Sequence, residues 1–262
     1  MSVQLPPEEI DDELTGHMSF LDHLEELRNR IIKSLIAIGL TFIACWSFVQ
    51  EIFKIVSYPI LTALEESGAN MEGMIFTSPT QPFNLFLKTA FIAAVFLASP
   101  FILAQVWLFI APGLYRHERR YAIPFVLSST ILAFLGGLFG YYIAFPFALE
   151  FLLNWGATAG LEAMIDATQY FNLFLTIELG LGIIFQIPPI IFVLSRMGIV
   201  SPGFLLKNTK YAVLIAFVVA AVITPTADIP NMMIMAGPMI ILYLLGVGVA
   251  FLFGKKRRTD DE

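Results

Sequence analysis

The sequence predicts an all-α polytopic membrane protein, with six transmembrane helices and both termini on the cytoplasmic side. Three observations carry this. Apolar residues form 58% of the 262-residue chain, more than one soluble core of that length buries. Charged residues are only 14% and sit in short clusters between long apolar runs. Lys and Arg gather almost entirely on one side of those runs, which is the positive-inside pattern. The mean hydropathy of +0.79 agrees with burial in lipid.

Six apolar runs are long enough, or nearly long enough, to cross a bilayer as helices: 31–50, 84–111, 121–150, 170–195, 211–224 and 232–253. The fifth, at about 1.5 Å per residue, falls short of a hydrocarbon core of roughly 30 Å. Of the 15 basic residues, only Lys54 and Lys88 fall on the outer side. The others, in clusters such as Arg28, Arg30 and Lys33, or Arg116, Arg119 and Arg120, mark the cytoplasmic side. Even span number and cytoplasmic termini follow together.

The domain organisation read from this pattern is a disordered acidic tail over 1–18, one transmembrane domain over 19–254 and a charged cytoplasmic tail over 255–262. The net charge of −6 is a poor guide to partners, because much of the acidic excess lies in 8–13 and 260–262 at the two ends; no nucleic-acid partner is expected. Residues 1–16 lack the basic and apolar regions of a secretory signal, so the first apolar run is expected to remain as a span. A single cysteine, Cys45, excludes an internal disulfide and reads as a small buried thiol. The outer loop 51–83, with Pro59, Gly68, Gly73, Pro79 and Pro82, favours turns and short extended pieces.

Two segments concentrate polar chemistry on the basic side. The first runs from Ser19 to Ile31; Ser19 and Asp22 have capping-box spacing, and Phe20, Leu24, Leu27 and Ile31 recur on one helical face. It reads as an interfacial lead-in helix to the first span. His23 and Glu26 lie one turn apart, too few ligands for a metal. The second runs from Gln105 to Arg120: Pro112 and Gly113 end the second span, aromatic residues occupy the interface, and one carboxylate, Glu118, stands among three arginines and His117.

Together these segments resemble the TatC family, the multispanning receptor subunit of the twin-arginine protein translocase. The resemblance is carried by His23-Leu24-Glu25-Glu26-Leu27-Arg28 with Arg30 and Ile31, Ser99-Pro100, Gln105-Val106-Trp107 through Pro112, and Tyr115-Arg116-His117-Glu118-Arg119-Arg120. Further along, it continues in Phe145-Pro146, Met197-Gly198-Ile199 with Ser201-Pro202, and Thr224-Pro225. It covers nearly the whole chain, from about residue 19 to about residue 250. It implies a receptor in the bacterial inner membrane that binds the Arg-Arg signal peptides of folded cargo. Such a receptor recruits small single-span TatA/TatB-like subunits, assembles as a homo-oligomer within a larger complex, and draws on the proton-motive force. By similarity, Glu118, Phe109 and Glu26 are the signal-recognition positions, Arg28 is a neighbouring structural member, and Pro59 matches a position in the first outer loop. Independently of the name, paired guanidiniums form bidentate, charge-assisted hydrogen bonds with carboxylates that Lys cannot reproduce.

Two other polar features lie deeper. Glu178 falls inside the fourth span, with Gln186 two residues before Pro188-Pro189, on neighbouring helical faces. A buried carboxyl there is expensive unless neutral, paired or wet, so it is a functional candidate; placement near the outer interface, with snorkelling, is the other reading. The family commonly carries glutamate where this chain has Gln186. Asp228 resembles an acidic family position and also suits a turn residue accepting backbone hydrogen bonds. The competing function is a secondary transporter or channel for a small solute with a midplane site at Glu178 and Gln186. No catalytic motif or phosphate loop appears, so neither an enzyme nor a cofactor is expected.

Overall fold

In the computed structural model, residues 20–66, 74–110, 122–158, 164–224 and 228–253 are described. The tails over 1–18 and 255–262, the Ser19 cap and Glu118 lie outside them. Helix α1 (Phe20–Ser47) fuses the lead-in segment to the first span without a break, because nothing between Phe20 and Ile31 interrupts the helical spacing. Helix α3 is Gln81–Ile110; α4 (Ala122–Phe139), a π-helical stretch (Gly140–Ala144) and α5 (Phe145–Thr158) make the third crossing. Helices α6 (Ala167–Ile184) and α7 (Ile187–Arg196) form the fourth, α9 (Thr209–Ile223) the fifth and α10 (Ile229–Phe253) the sixth; the short α8 (Pro202–Lys207) precedes α9. Five of these crossings are long and apolar enough to traverse a bilayer, and α9 is the short one. The end carrying Arg30, Arg196 and Lys207 is called the inner end below, and the opposite end the outer.

The fourth crossing breaks at Phe185 and Gln186, where Pro188 and Pro189 enter the first turn of α7, a position that has no helical acceptor to lose. Helix α7 ends in a Schellman motif: Gly198, at φ +74°, donates to the Ser195 carbonyl, and Ile199 donates to that of Leu194. Ser201 then caps α8 by accepting from the Phe204 N–H at 3.2 Å. Those local needs explain the run Met197-Gly198-Ile199 and Ser201-Pro202.

The expectation of turns and extended pieces across 51–83 holds over 74–80, which carries a bridge at Ile75 and turns, and is corrected over 51–66 by α2 (Val49–Glu66), a regular helix with Pro59 inside it. Proline lacks the N–H that would bond the Ile55 carbonyl four residues back. Tyr141 supplies that bond, its hydroxyl donating to the Ile55 carbonyl at 2.7 Å, and the Tyr170 hydroxyl donates to the neighbouring Val56 carbonyl at 2.8 Å. The Tyr141 hydroxyl satisfies the carbonyl that Pro59 frees, and Tyr170 ties the next carbonyl to the bundle.

Packing follows the scarcity of hydrophobic drive between helices in lipid, so close fit replaces it. On α3, Ala90, Ala94 and Ala98 are buried at four-residue spacing, and their small size lets α1 approach closely enough for the Thr41 hydroxyl to donate to the Ala94 carbonyl at 3.1 Å. Cys45 is buried in the same contact. A second core gathers Phe145, Phe171, Ile177 and Leu181 from the third and fourth crossings with Ile60 and Leu64 of α2. Large apolar side chains such as Ile183, Val222 and Leu252 stay exposed, as lipid-facing positions do.

At the outer end, residues before α3 are tied to the start of α6. Ile75 donates to the Ile165 carbonyl at 3.0 Å and its own carbonyl accepts from the Ala167 N–H at 2.9 Å. Asp166 caps α6 by accepting from the Thr168 and Gln169 N–H groups, while the Gln81 amide donates to both of its carboxylate oxygens at 2.9 and 2.7 Å. The Gln81 amide, followed by the Gln169 N–H, holds the Asp166 carboxyl below its ordinary pKa. A lowered folded-state pKa gives stability that is complete above the ordinary carboxylate range and is lost as pH falls through the lowered value. Asp166→Asn, which keeps the cap but not the charge, should therefore lower the thermal unfolding temperature at neutral pH. The gap to wild type should close as the pH of the detergent solution falls to about 3; a gap independent of pH would contradict the assignment.

Candidate functional site

At the inner end, the chemistry is built where α1 meets α3. His23, Glu26 and Arg30 share one face of α1, at spacings of three and four, and that face meets Gln105 and Phe109, one turn apart on α3. The Arg30 guanidinium joins the two helices. Its Nη2 donates to Oε1 of Glu26 at 3.0 Å and its Nη1 to Oε1 of Gln105 at 3.2 Å. The His23 ring stacks on that of Phe109 at 4.4 Å with 19° between planes. Between Gln105 and Phe109 on α3, Trp107 is 1% exposed and stacks on Phe125 of α4, fixing the aromatic end of the second span.

This arrangement holds Glu26 in place but does not saturate it. Its Oε2 is buried without a hydrogen-bond partner among the described residues, as is Arg30 Nε. An unmet buried acceptor costs about 1–3 kcal/mol, which an incoming donor recovers. Beside it, a cavity of about 260 Å³ is lined by Asp22, Glu25, Glu26, Asn29, Arg30 and Lys33. Three carboxylates against two cations make that lining one that favours a positively charged ligand.

Of the residues singled out from the sequence, Glu26 and Phe109 are thus brought together. Arg28 is not: it is exposed on another face of α1 and makes no hydrogen bond or ion pair among the described residues, while Arg30 makes the bridge. Glu118 lies in the segment 111–121, outside the described residues. Pro59 is buried at the outer end, where it shapes α2 as set out above. Asp228 acts at the start of α10: its carboxylate accepts from the Asn231 N–H at 2.9 Å and from the Asn231 side-chain amide at 3.0 Å, the turn and cap chemistry that its setting suggested.

Glu178 does not reach toward the outer interface. It lies about 16 Å along α6 from Ala167, with its carboxyl against the π-helical stretch, where a β-carbon on Gly140 would sit 2.5 Å from Oε1. Only glycine leaves room there. Oε1 is buried and unpartnered among the described residues. Gln186 turns toward the same third crossing but lower, its amide donating to the Ser129 carbonyl at 3.1 Å. The two polar groups therefore face one neighbouring helix at separate levels.

Sequence reasoning missed Gln105, Tyr141 and Asp166. The His23, Glu26, Arg30 spacing was available as a face, but its partner on α3 was not. Asp166 before an apolar run is a legible cap signal. Tyr141 is paired with a carbonyl 86 residues away, which no local pattern reveals.

An all-helical bundle of six crossings, with a charged receptor-like cleft at the inner end and buried carboxyls but no assembled catalytic set among the described residues, defines a multispanning membrane transport protein. The profile described as "Sec-independent protein translocase protein (TatC)" matches residues 22–238, and the chain belongs to that family. Its relatives include the Sec-independent protein translocase protein TatC of Koribacter versatilis, 49% identical over 249 residues that cover 95% of this chain and 91% of the relative. That of Escherichia coli K12 is 36% identical over 242 residues, covering 92% of each chain. Two solved structures are similar, the twin arginine translocase receptor TatC and the same receptor in DDM. Both are 36% identical to this chain, with TM-scores of 0.75 and 0.77, and cover 88% and 89% of it and 98% and 100% of their own chains.

Proposed function

We propose that this chain is the receptor and core subunit of a twin-arginine translocase in a bacterial inner membrane. It takes the Arg-Arg signal peptides of folded cargo at the inner end and recruits small single-span subunits for export driven by the proton-motive force. It works as one copy in a homo-oligomeric complex. The observation that carries this reading is the Glu26, Arg30, Gln105 bridge beside the His23 and Phe109 stack, an acidic and aromatic site in a chain of this family. Glu118 is the principal acceptor for the signal's guanidiniums, because it is the single carboxylate in an otherwise cationic loop. Glu26 assists through its unmet oxygen, and Phe109 packs on the apolar residue that follows the arginines. The small-solute transporter has no support from the family, and Gln186 is occupied by the Ser129 carbonyl rather than open to a solute.

Neutralising Glu118 leaves guanidiniums facing Arg116, Arg119 and Arg120 without compensation. Glu118→Gln should weaken binding of an Arg-Arg signal by about 2–4 kcal/mol, with Glu118→Asp milder. Crosslinking of Arg-Arg and Lys-Lys signal peptides to variant protein purified at normal yield reads this directly. Undiminished Arg-Arg crosslinking would overturn the assignment.

Orientation is part of the same proposal: both termini are cytoplasmic, a reading supported by the concentration of basic residues at the inner end. Single cysteines at positions 68, 162 and 228, in a Cys45-free background, should react with an impermeant thiol reagent in intact cells. Those at 119, 207 and 256 should react only after the membrane is opened. Labelling at 119 from outside would reverse the topology.

A further inference from the structure

The outer end holds a second cavity, of about 320 Å³, set between α2 and the π-helical stretch with α5. Its walls include Tyr58, Pro59 and Thr62 from α2, and Tyr142, Pro146 and Glu150 from the other side. Glu150 is its only charged lining residue, and that carboxylate is exposed with no hydrogen bond or ion pair among the described residues. Tyr58 and Tyr142 are 63% and 69% exposed, so their ring faces are open to a ligand rather than spent in the core.

The cavity is held open by its own walls. Tyr141 closes the Pro59 gap in α2 from the opposite wall, and its ring packs edge-on against that of Tyr142 at 4.8 Å. The π-helical stretch is closed by the Phe145 N–H donating to the Gly140 carbonyl, and it sets Tyr141 and Tyr142 beside the groove. A lone carboxylate among open tyrosine faces is a setting for an organic ammonium, which the carboxylate pairs and the rings stabilise through their quadrupoles.

The surroundings choose the source of that ammonium. Toward the inner end from Tyr142, Leu138 and Leu135 present exposed apolar surface on the same crossing, while Trp155, 71% exposed, lies beyond Glu150 at the depth of an aromatic belt. On α2, Lys54 is exposed four residues before Tyr58, on the same face, and has no partner among the described residues. Carboxylate, aromatic faces, a nearby ammonium and an apolar strip below match, in order, the amine, phosphate and acyl chain of a zwitterionic lipid.

We propose that this groove is a binding site for an aminophospholipid of phosphatidylethanolamine chemistry. The lipid ammonium pairs with Glu150 against Tyr58 and Tyr142, Lys54 meets the phosphate, and an acyl chain lies along Leu138 and Leu135. The site is separate from the signal-peptide cleft and does not depend on it. It makes the outer cap of the protein a part of the bilayer's headgroup layer.

Native mass spectrometry of the full chain, released from nanodiscs holding equal phosphatidylethanolamine and phosphatidylglycerol, counts the lipid retained. Wild type should keep phosphatidylethanolamine over phosphatidylglycerol by about tenfold. Glu150→Gln should bring the ratio to about parity, and Tyr142→Ala should reduce it; both residues are exposed, so unchanged melting temperatures separate loss of binding from loss of fold. Soluble phosphoethanolamine at millimolar concentration should not displace the lipid, because it lacks the chain that Leu138 and Leu135 hold. Displacement by it would identify the ligand as a free amine and overturn the lipid assignment. Equal retention of the two lipids by wild type, or an unchanged ratio in both variants, would overturn the site.

Discussion

The bridge from Arg30 to Glu26 and Gln105 is the interaction on which the inner end depends. Arginine is suited to it because its planar fork donates in two directions at once, so one side chain fixes a carboxylate on its own helix and an amide on the next. The alanines of α3 bring the helices close enough for the bridge to form, and the His23 and Phe109 stack sets their rotation one turn further on. A lysine at position 30 would hold one partner and release the other. The bridge engages one oxygen of Glu26; the other, Oε2, is buried with no hydrogen-bond partner among the described residues.

The outer end answers the same demand, that polar groups near lipid find partners, with different means. Pro59 frees a carbonyl and Tyr141 takes it; Asp166 takes the first N–H groups of α6, and Gln81 takes Asp166. The Tyr141 and Gln81 bonds join segments distant in sequence, so the cap is tied to the bundle by groups that its irregularities would leave unsatisfied. Within the bundle, Glu178 Oε1, opposite Gly140, is among the buried polar atoms for which that demand is not met among the described residues.

The spans were legible because an apolar run of about 20 residues has few alternatives to a transmembrane helix, and their ends were marked by prolines and basic clusters. The family was legible in short motifs whose local reasons the structure supplies, such as the αL glycine at 198 and the cap at Ser201. Helix α2 was not legible: Pro59 is a strong local breaker, and the hydroxyls that compensate come from residues 86 and 114 positions away from the carbonyls they satisfy. Within the site, Glu26 and Phe109 followed from the resemblance and Arg28 was named with them. The choice between Arg28 and Arg30 was set by helical phase, since only position 30 lies on the face of His23 and Glu26 that meets α3. Depth was the other limit. Glu178 had an interfacial and a buried reading, and a glycine on a different crossing decided between them.

The central claim is that Glu26, held in place by Arg30 anchored on Gln105, assists Glu118 in reading guanidinium. Its most direct test is the affinity of Arg-Arg and Lys-Lys signal peptides for wild-type protein and Gln105→Met in nanodiscs, with helical content checked by circular dichroism. Removing the anchor should lower Arg-Arg affinity by about tenfold and leave Lys-Lys affinity nearly unchanged, so that discrimination between the two falls in a folded protein. Wild-type discrimination in Gln105→Met would contradict the account.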